Sequence, residues 1–233
     1  STHAIVGGII GAVWGSRGWR YLHLEGTIKV FIGLILSPIA GIIGAYVVMV
    51  IFLWLFGRSS PTKVNQRFRI IQVASASLMA FSHGSNDGQK SMGVIAMALF
   101  SASAMATAGA HHPSQFHIPL WVMLACAIAM ALGSGAGGWR IIKTVGRKVM
   151  ELQPIHGCVA ELSAATIILM ASHFGAPIST THTISSAIMG VGMSRRLSAV
   201  RWKVVGNVVG AWLLTLPVAA AIAYVCAIVL SRL

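Results

Sequence analysis

Gly175-Ala176-Pro177-Ile178-Ser179-Thr180-Thr181-His182-Thr183-Ile184 sits inside an apolar stretch, and its last five residues echo the opening Ser1-Thr2-His3-Ala4-Ile5. The offset is 179 residues (His182 against His3). Held without a gap, it lays Ser1–Trp54 over Thr180–Leu233 and matches Ile9/Ile188, Gly11/Gly190, Arg17/Arg196, Leu34/Leu213, Pro38/Pro217 and Ile43/Ile222. Apolar identities arise by chance. A Thr-His pair, a Gly, an Arg and a Pro in one register do not, and they mark a duplication. The second copy carries a long stretch upstream of its Thr-Thr-His that the first copy lacks. The first copy is therefore expected to be cut, with the natural protein starting before Ser1; no initiator Met, basic n-region or cleavage site precedes the first apolar run.

Hydrophobic residues make up 56% of the chain and charged residues 9%. Several uncharged runs are long enough to cross the roughly 30 Å hydrocarbon layer as helices. Ten-residue alternating segments, which a membrane barrel would need, are absent, so the spans are helical. The 17 Lys and Arg, net charge +13, cluster in short loops between spans, a topogenic pattern rather than a nucleic-acid surface. Cys126, Cys158 and Cys226 lie far apart in apolar stretches and read as packing residues.

Thr27–Phe56, with Pro38 inside it, crosses once. The loop after it (Arg58, Lys63, Arg67, Arg69, no acid) is the cytoplasmic candidate. Ile70 to about Ala106 leads to a loop without Lys or Arg, and Pro119–Gly137 returns to Arg140, Lys143, Arg147 and Lys148. Ile155–Gly192, interrupted at Gly175-Ala176-Pro177, crosses twice or dips in and returns, ending at Arg195, Arg196, Arg201 and Lys203. The two copies then have opposite orientations, the arrangement in which secondary transporters bring broken helices together near the midplane. The parity depends on Ile70–Ala106 crossing only once.

Two of the four acidic residues, Asp87 and Glu161, fall inside spans. A charge there costs at least about 2.5 kcal/mol on insertion scales and marks an ion or proton path. Glu25 and Glu151 adjoin basic loop residues. Asp87 stands in Phe81-Ser82-His83-Gly84-Ser85-Asn86-Asp87-Gly88-Gln89-Lys90-Ser91-Met92-Gly93, where small and polar residues predict a helix break. Freed carbonyls with Asn86 and Asp87 would suit a cation, and the amides opening the next half-helix an anion. The alternative is that Gly84 and Gly88 serve helix packing alone. Lys90 would neutralise Asp87, attract an anion or snorkel to solvent. Pro177 to Thr181 reads as a helix N-terminus whose amides and hydroxyls could hold a tetrahedral oxyanion, or as plain capping. Ser1-Thr2 would supply the equivalent end. His3 and His182 could be ligands, proton carriers or buried bonded groups. His111, His112 and His117 form a polar loop, metal binding being the minor reading. No Walker loop, CxxC pair, zincin helix or nucleophile elbow appears, so enzyme chemistry has no foothold.

The runs His83–Gly93 and Gly175–His182 together resemble the inorganic phosphate transporter (PiT) family in its bacterial form, and the resemblance covers essentially the whole chain. It implies an all-α integral membrane protein, an inverted-repeat secondary transporter with broken helices and re-entrant helical hairpins, in the cell inner or plasma membrane. The implied division is 1–56 as the truncated tail of the first inverted repeat, 57–69 as a basic cytoplasmic linker and 70–233 as the second repeat.

The implied activity is symport of inorganic phosphate with H+ or Na+ by alternating access. Sulfate or metal-phosphate transport on the same fold, or a passive channel or membrane anchor, are the alternatives. Motif by motif, Ser1, Thr2, Ser179, Thr180, Thr181, Gln89 and Ser91 are assigned to phosphate, and Asn86, Asp87 and Glu161 to the coupling cation. No cofactor is expected, and no metal beyond a Na+ at Asp87. The expected partners are phosphate, the cation and membrane lipid, not nucleic acid; a homodimer stays open. The first repeat's own Asn-Asp pair and glutamate are not in this sequence, which on this reading leaves half the site outside it.

Overall fold

The computed structural model describes residues 2–106, 117–138 and 149–232. Ser1, His111, His112, Arg140, Lys143, Arg147 and Lys148 lie outside the described residues. Among those described, the regular elements are helical: α1 (Thr2–Arg17), α2 (Leu24–Phe56), α3 (Pro61–Ala106), α4 (Leu120–Gly137), α5 (Pro154–His173), α6 (Thr180–Arg195) and α7 (Trp202–Leu230). α2, α4, α5 and α7 are long and apolar enough to cross a membrane. α2, α4 and α7 leave most of their apolar side chains uncovered, as a lipid-facing helix should, whereas α5 is largely enclosed by its neighbours.

The duplication is visible in the packing. α1 and α6 are each 16 residues long, each is followed by a short 3-10 turn, and each turn leads into a long helix holding the matched Pro38 or Pro217. The copies exchange partners, α1 lying along α7 and α6 along α2. Both pairs run parallel: Gly7 and Gly15 meet Leu216 and Tyr224, and Pro177 and Ile42 meet Gly33 and Gly190 in the same ascending order. Close approach depends on the matched glycines. A Cβ at Gly11 would overlap the Ala220 carbonyl oxygen, and one at Gly190 the Ile42 carbonyl oxygen.

The same contacts show that the copies are inverted. α2 starts near the end of α1 and passes Pro177 at Gly33, where Thr2 Oγ1 also reaches the Ile178 carbonyl at 3.4 Å. Its first third thus runs back beside the level of α1 to the α1 N-terminus. Beyond Gly33, α2 accompanies α6, with Gly41 against Thr183 and Ser186 and Gly190 against Ile42. α1 and α6 therefore leave their meeting point in opposite directions. At 33 residues, α2 is about 50 Å long, and Gly33 lies about 15 Å along it. α5 and α6 form a hairpin whose tip, residues 174–179, reaches that depth. Its two ends are held together by the Arg201 amide on the Val149 carbonyl (2.9 Å) and by Gly192 against Met150 and Val200. One buried apolar cluster joins those residues to Met49 and Phe68, so the basic turns after α2 and after α6 share an end of the molecule.

One expectation needs correction. α3 runs unbroken for 46 residues, so the break predicted at Phe81–Gly93 is not there; 70–106 is a single rod, in keeping with one crossing. The hydroxyls that argued for a break fold back on the helix itself: Ser82 donates to the Leu78 carbonyl (2.8 Å) and Ser91 to that of Asp87 (3.5 Å). Gly84 and Gly88 cost about 1 kcal/mol each relative to Ala. Packing outweighs that: Ser75, Met79, Ser82 and Asn86 form a buried stripe against α5, itself closed by Cys158, Ala165 and Ile168. α3 also begins at Pro61, inside the stretch read as a linker up to Arg69.

Candidate functional site

The hairpin tip is built by local rules. Gly175 holds φ +64°, a conformation that ends α5 without a Cβ clash, and Pro177 cannot continue a helix. Ser179 then caps α6, its Oγ accepting from the His182 amide (3.4 Å). The Ile178 carbonyl precedes the cap and lies outside the helical ladder.

Around that carbonyl four elements meet. Lys90 Nζ, from α3, donates to Asp87 Oδ1 (2.9 Å), to Thr2 Oγ1 in the first turn of α1 (2.9 Å) and to the Ile178 carbonyl (3.0 Å). Thr180 Oγ1 donates to the same Asp87 oxygen (3.2 Å), and His83 Nε2 lies 3.3 Å from Oδ2. The Asp87 and Lys90 side chains are 10% and 19% exposed. The ammonium has turned inward rather than snorkelled.

On the other side of the α6 N-terminus, His3, Ser179, Thr181, His182, Trp212 and Thr215 line a cavity of about 70 Å³. That is several times the roughly 15 Å³ a single water requires. The His182 ring stacks on Trp212 (centroids 3.7 Å, interplanar angle 25°) and touches His3 (4.4 Å). Its Nδ1 is buried without a partner. Pro38 has no N–H for the Leu34 carbonyl, which instead accepts from Ser37 Oγ (3.3 Å) and interacts with the His182 ring.

The hydroxyl run is thus divided between two faces. Thr180 turns to Asp87, while Ser179 and Thr181 turn to the cavity. Thr2, Asp87, Ser179, Thr180 and Thr181 are brought together, Thr2 reaching Ile178 across 176 positions of sequence, and Ser1 lies outside the described residues. Gln89 and Ser91 are not brought in: both are exposed, Gln89 on the face of α3 opposite Asp87 and Ser91 one turn beyond Asp87 with its hydroxyl on the Asp87 carbonyl (3.5 Å). Asn86 faces α5, its Nδ2 donating to Ser172 Oγ (3.0 Å) while Oδ1 is buried and unpartnered.

Glu161 accepts from Ser75 on the same α3–α5 seam. Ser75 and Asn86 are eleven residues apart, as are Glu161 and Ser172, which separates Glu161 from the Asn86 level by about 16 Å. Asp87 and Glu161 do not share one ion. The unwound carbonyls expected from α3 are supplied instead by Ile178.

Sequence reasoning passed over Trp212, Thr215 and Ser172, single residues in apolar runs with no motif around them. The shared Pro38/Pro217 register was the one signal near Trp212. Among the described residues, no group of three or more His, Cys, Asp or Glu could hold a metal. His117 is exposed. A larger cavity, about 370 Å³, is lined by Phe56, Arg58, Lys63, Arg67 and Phe68 at the basic end. It sits about 28 Å along α3 from Asp87, at the basic turn after α2 rather than the hydroxyl cluster.

Known proteins match both the fold and these motifs. The model of the "Phosphate transporter family" matches residues 57–223. A "Probable low-affinity inorganic phosphate transporter" of Rhizobium meliloti (strain 1021) is 43% identical over 97% of this chain and 66% of its own length. A protein of the same description from Bacillus subtilis (strain 168) is 41% identical over 100% of this chain and 68% of its own. A solved structure titled "The sodium-dependent phosphate transporter" aligns with a TM-score of 0.65 at 26% identity, covering 99% of this chain and 64% of that one. The chain thus spans about two thirds of the length of these relatives. Several apolar helices in a family of transporters make it a multi-pass plasma-membrane protein. With matching sequence over most of its length and a matching fold, this chain belongs to the phosphate transporter family.

Proposed function

We propose that the protein moves inorganic phosphate across the membrane together with a cation, by alternating access, and performs no enzymatic chemistry. The observation that carries this reading is the head-to-head meeting of α1 and α6. Two helix N-termini, each presenting about half a positive charge and unpaired amides, converge from opposite directions beside Gly33, about a third of the way along α2. A tetrahedral anion fits there without a dedicated Arg, with Thr181, Ser179 and Thr215 as hydroxyl donors beside the cavity. The oxygens of Asp87, Thr2 and Ile178 suit a cation. Glu161 forms a separate carboxylate station on the α3–α5 seam, and we assign it to the coupling path rather than to the phosphate.

The relatives' names support phosphate over sulfate. Rocking of the two inverted halves around the fixed meeting point would expose the site alternately. Counterflow tests the reading. Proteoliposomes holding the product of the complete gene and loaded with unlabelled phosphate should accumulate labelled phosphate transiently, while sulfate loading should not drive it. A channel or an anchor would show no overshoot, and equal overshoot with sulfate would replace phosphate as the substrate.

A further inference from the structure

An ammonium offers three donors and no acceptor, and Lys90 has all three engaged, by a carboxylate oxygen, a hydroxyl and a backbone carbonyl outside any helical ladder. Those three oxygen types, drawn from α3, the first turn of α1 and the hairpin tip, are the ligands with which discontinuous helices hold a small hard cation. The side chain is 19% exposed although its stem is long enough to reach outward, so the inward position is held by these partners.

Resting on the transport reading above, we propose that Lys90 is a tethered cation: its ammonium fills the oxygen cage of Asp87, Thr2 and Ile178 that a dissociable Na+ would otherwise occupy. The carboxylate is then neutralised through the whole cycle by a charge that cannot leave. Thr180 and His83 also lie against Asp87, so the fixed pair ties α3 to the N-termini of both inverted helices. Phosphate movement consequently does not require Na+ at this position. The coupling cation has to act elsewhere, and the carboxyl of Glu161 is the available group on the seam.

The test is Na+ binding, which needs no phosphate movement. Radiolabelled Na+ is titrated onto the purified product of the complete gene, its Lys90→Ala variant and the Lys90→Ala/Asp87→Asn double variant. Opening the cage should raise Na+ affinity by about tenfold or more, and removing the carboxylate should abolish the gain. No gain in Lys90→Ala, or a gain that survives Asp87→Asn, overturns the proposal. Should those variants not fold, the Asp87→Asn single variant still decides: with Lys90 filling the cage it should bind Na+ within about threefold of the unmodified protein, and a larger loss of Na+ binding overturns the tethered cation. If the unmodified protein moves no phosphate under any cation, the transport reading fails, and the binding titration decides this proposal alone.

Discussion

The two copies of the half-helix share their framework and differ in what surrounds it. α6 is enclosed by α2, α5 and α3, with buried residues along nearly its whole length, while α1 rests mainly on α7 and exposes Ile9 and Trp14 by more than half. His182 is 4% exposed and stacked on Trp212, whereas its counterpart His3 is half-buried at the mouth of the cavity. What duplication conserved is backbone: the length of the short helix, the turn after it, the proline in the long helix and the glycine at the crossing. Chemistry belongs to neither copy alone. It arises where their N-termini touch, with α3 supplying Asp87 and Lys90.

The glycines at the two crossings should break this comparison hardest. Gly190→Leu forces a side chain into the Ile42 carbonyl inside an enclosed helix, and we expect a loss of about 3 kcal/mol or more, seen as a collapse of the thermal transition in detergent. Gly11→Leu meets the Ala220 carbonyl but on a helix with one open side, and should cost about half as much. Equal losses would mean that enclosure, the feature separating the copies, carries no energetic weight. The mildest change sharpens the same point. Gly8 has open space where a Cβ would stand, and its counterpart in the second copy is already Ala187. Gly8→Ala should stabilise by about 0.5 to 1 kcal/mol through helix propensity alone, read as a small rise in melting temperature.

How much of this was legible follows from the range over which each signal acts. The ungapped 179-residue register carried the paired helices, and the basic turns carried the shared end of the hairpin, because both are local patterns repeated in the chain. Pro177 marked the hairpin tip for the same reason. The unbroken course of α3 was not legible. Glycines and hydroxyls at 82–91 look alike in a break and in a helix whose serines bond back to their own turn, and only the packing of α5 decides between them. The pairing of Lys90 with Asp87 was one of the open readings, but its other two partners were beyond reach, lying 88 residues away on either side in sequence. Gln89 was drawn in by adjacency to Asp87, although two residues along a helix turn its side chain about 200° to the opposite face, and Ser91, one turn on, spends its hydroxyl on the Asp87 carbonyl.

The central claim, that phosphate sits at the hydroxyl-lined start of α6, is tested most directly by thiol protection. Thr181→Cys is introduced with the exposed Cys226 replaced by Ala, since Cys126 and Cys158 are already buried, and labelling by a small maleimide is followed with and without phosphate. Phosphate should slow labelling of the thiol at 181 by about tenfold at saturation, in proportion to occupancy, while a control thiol at exposed Leu197 is unaffected and sulfate has little effect. Identical labelling rates at 181 with and without phosphate, in a protein that still exchanges phosphate, would contradict the claim.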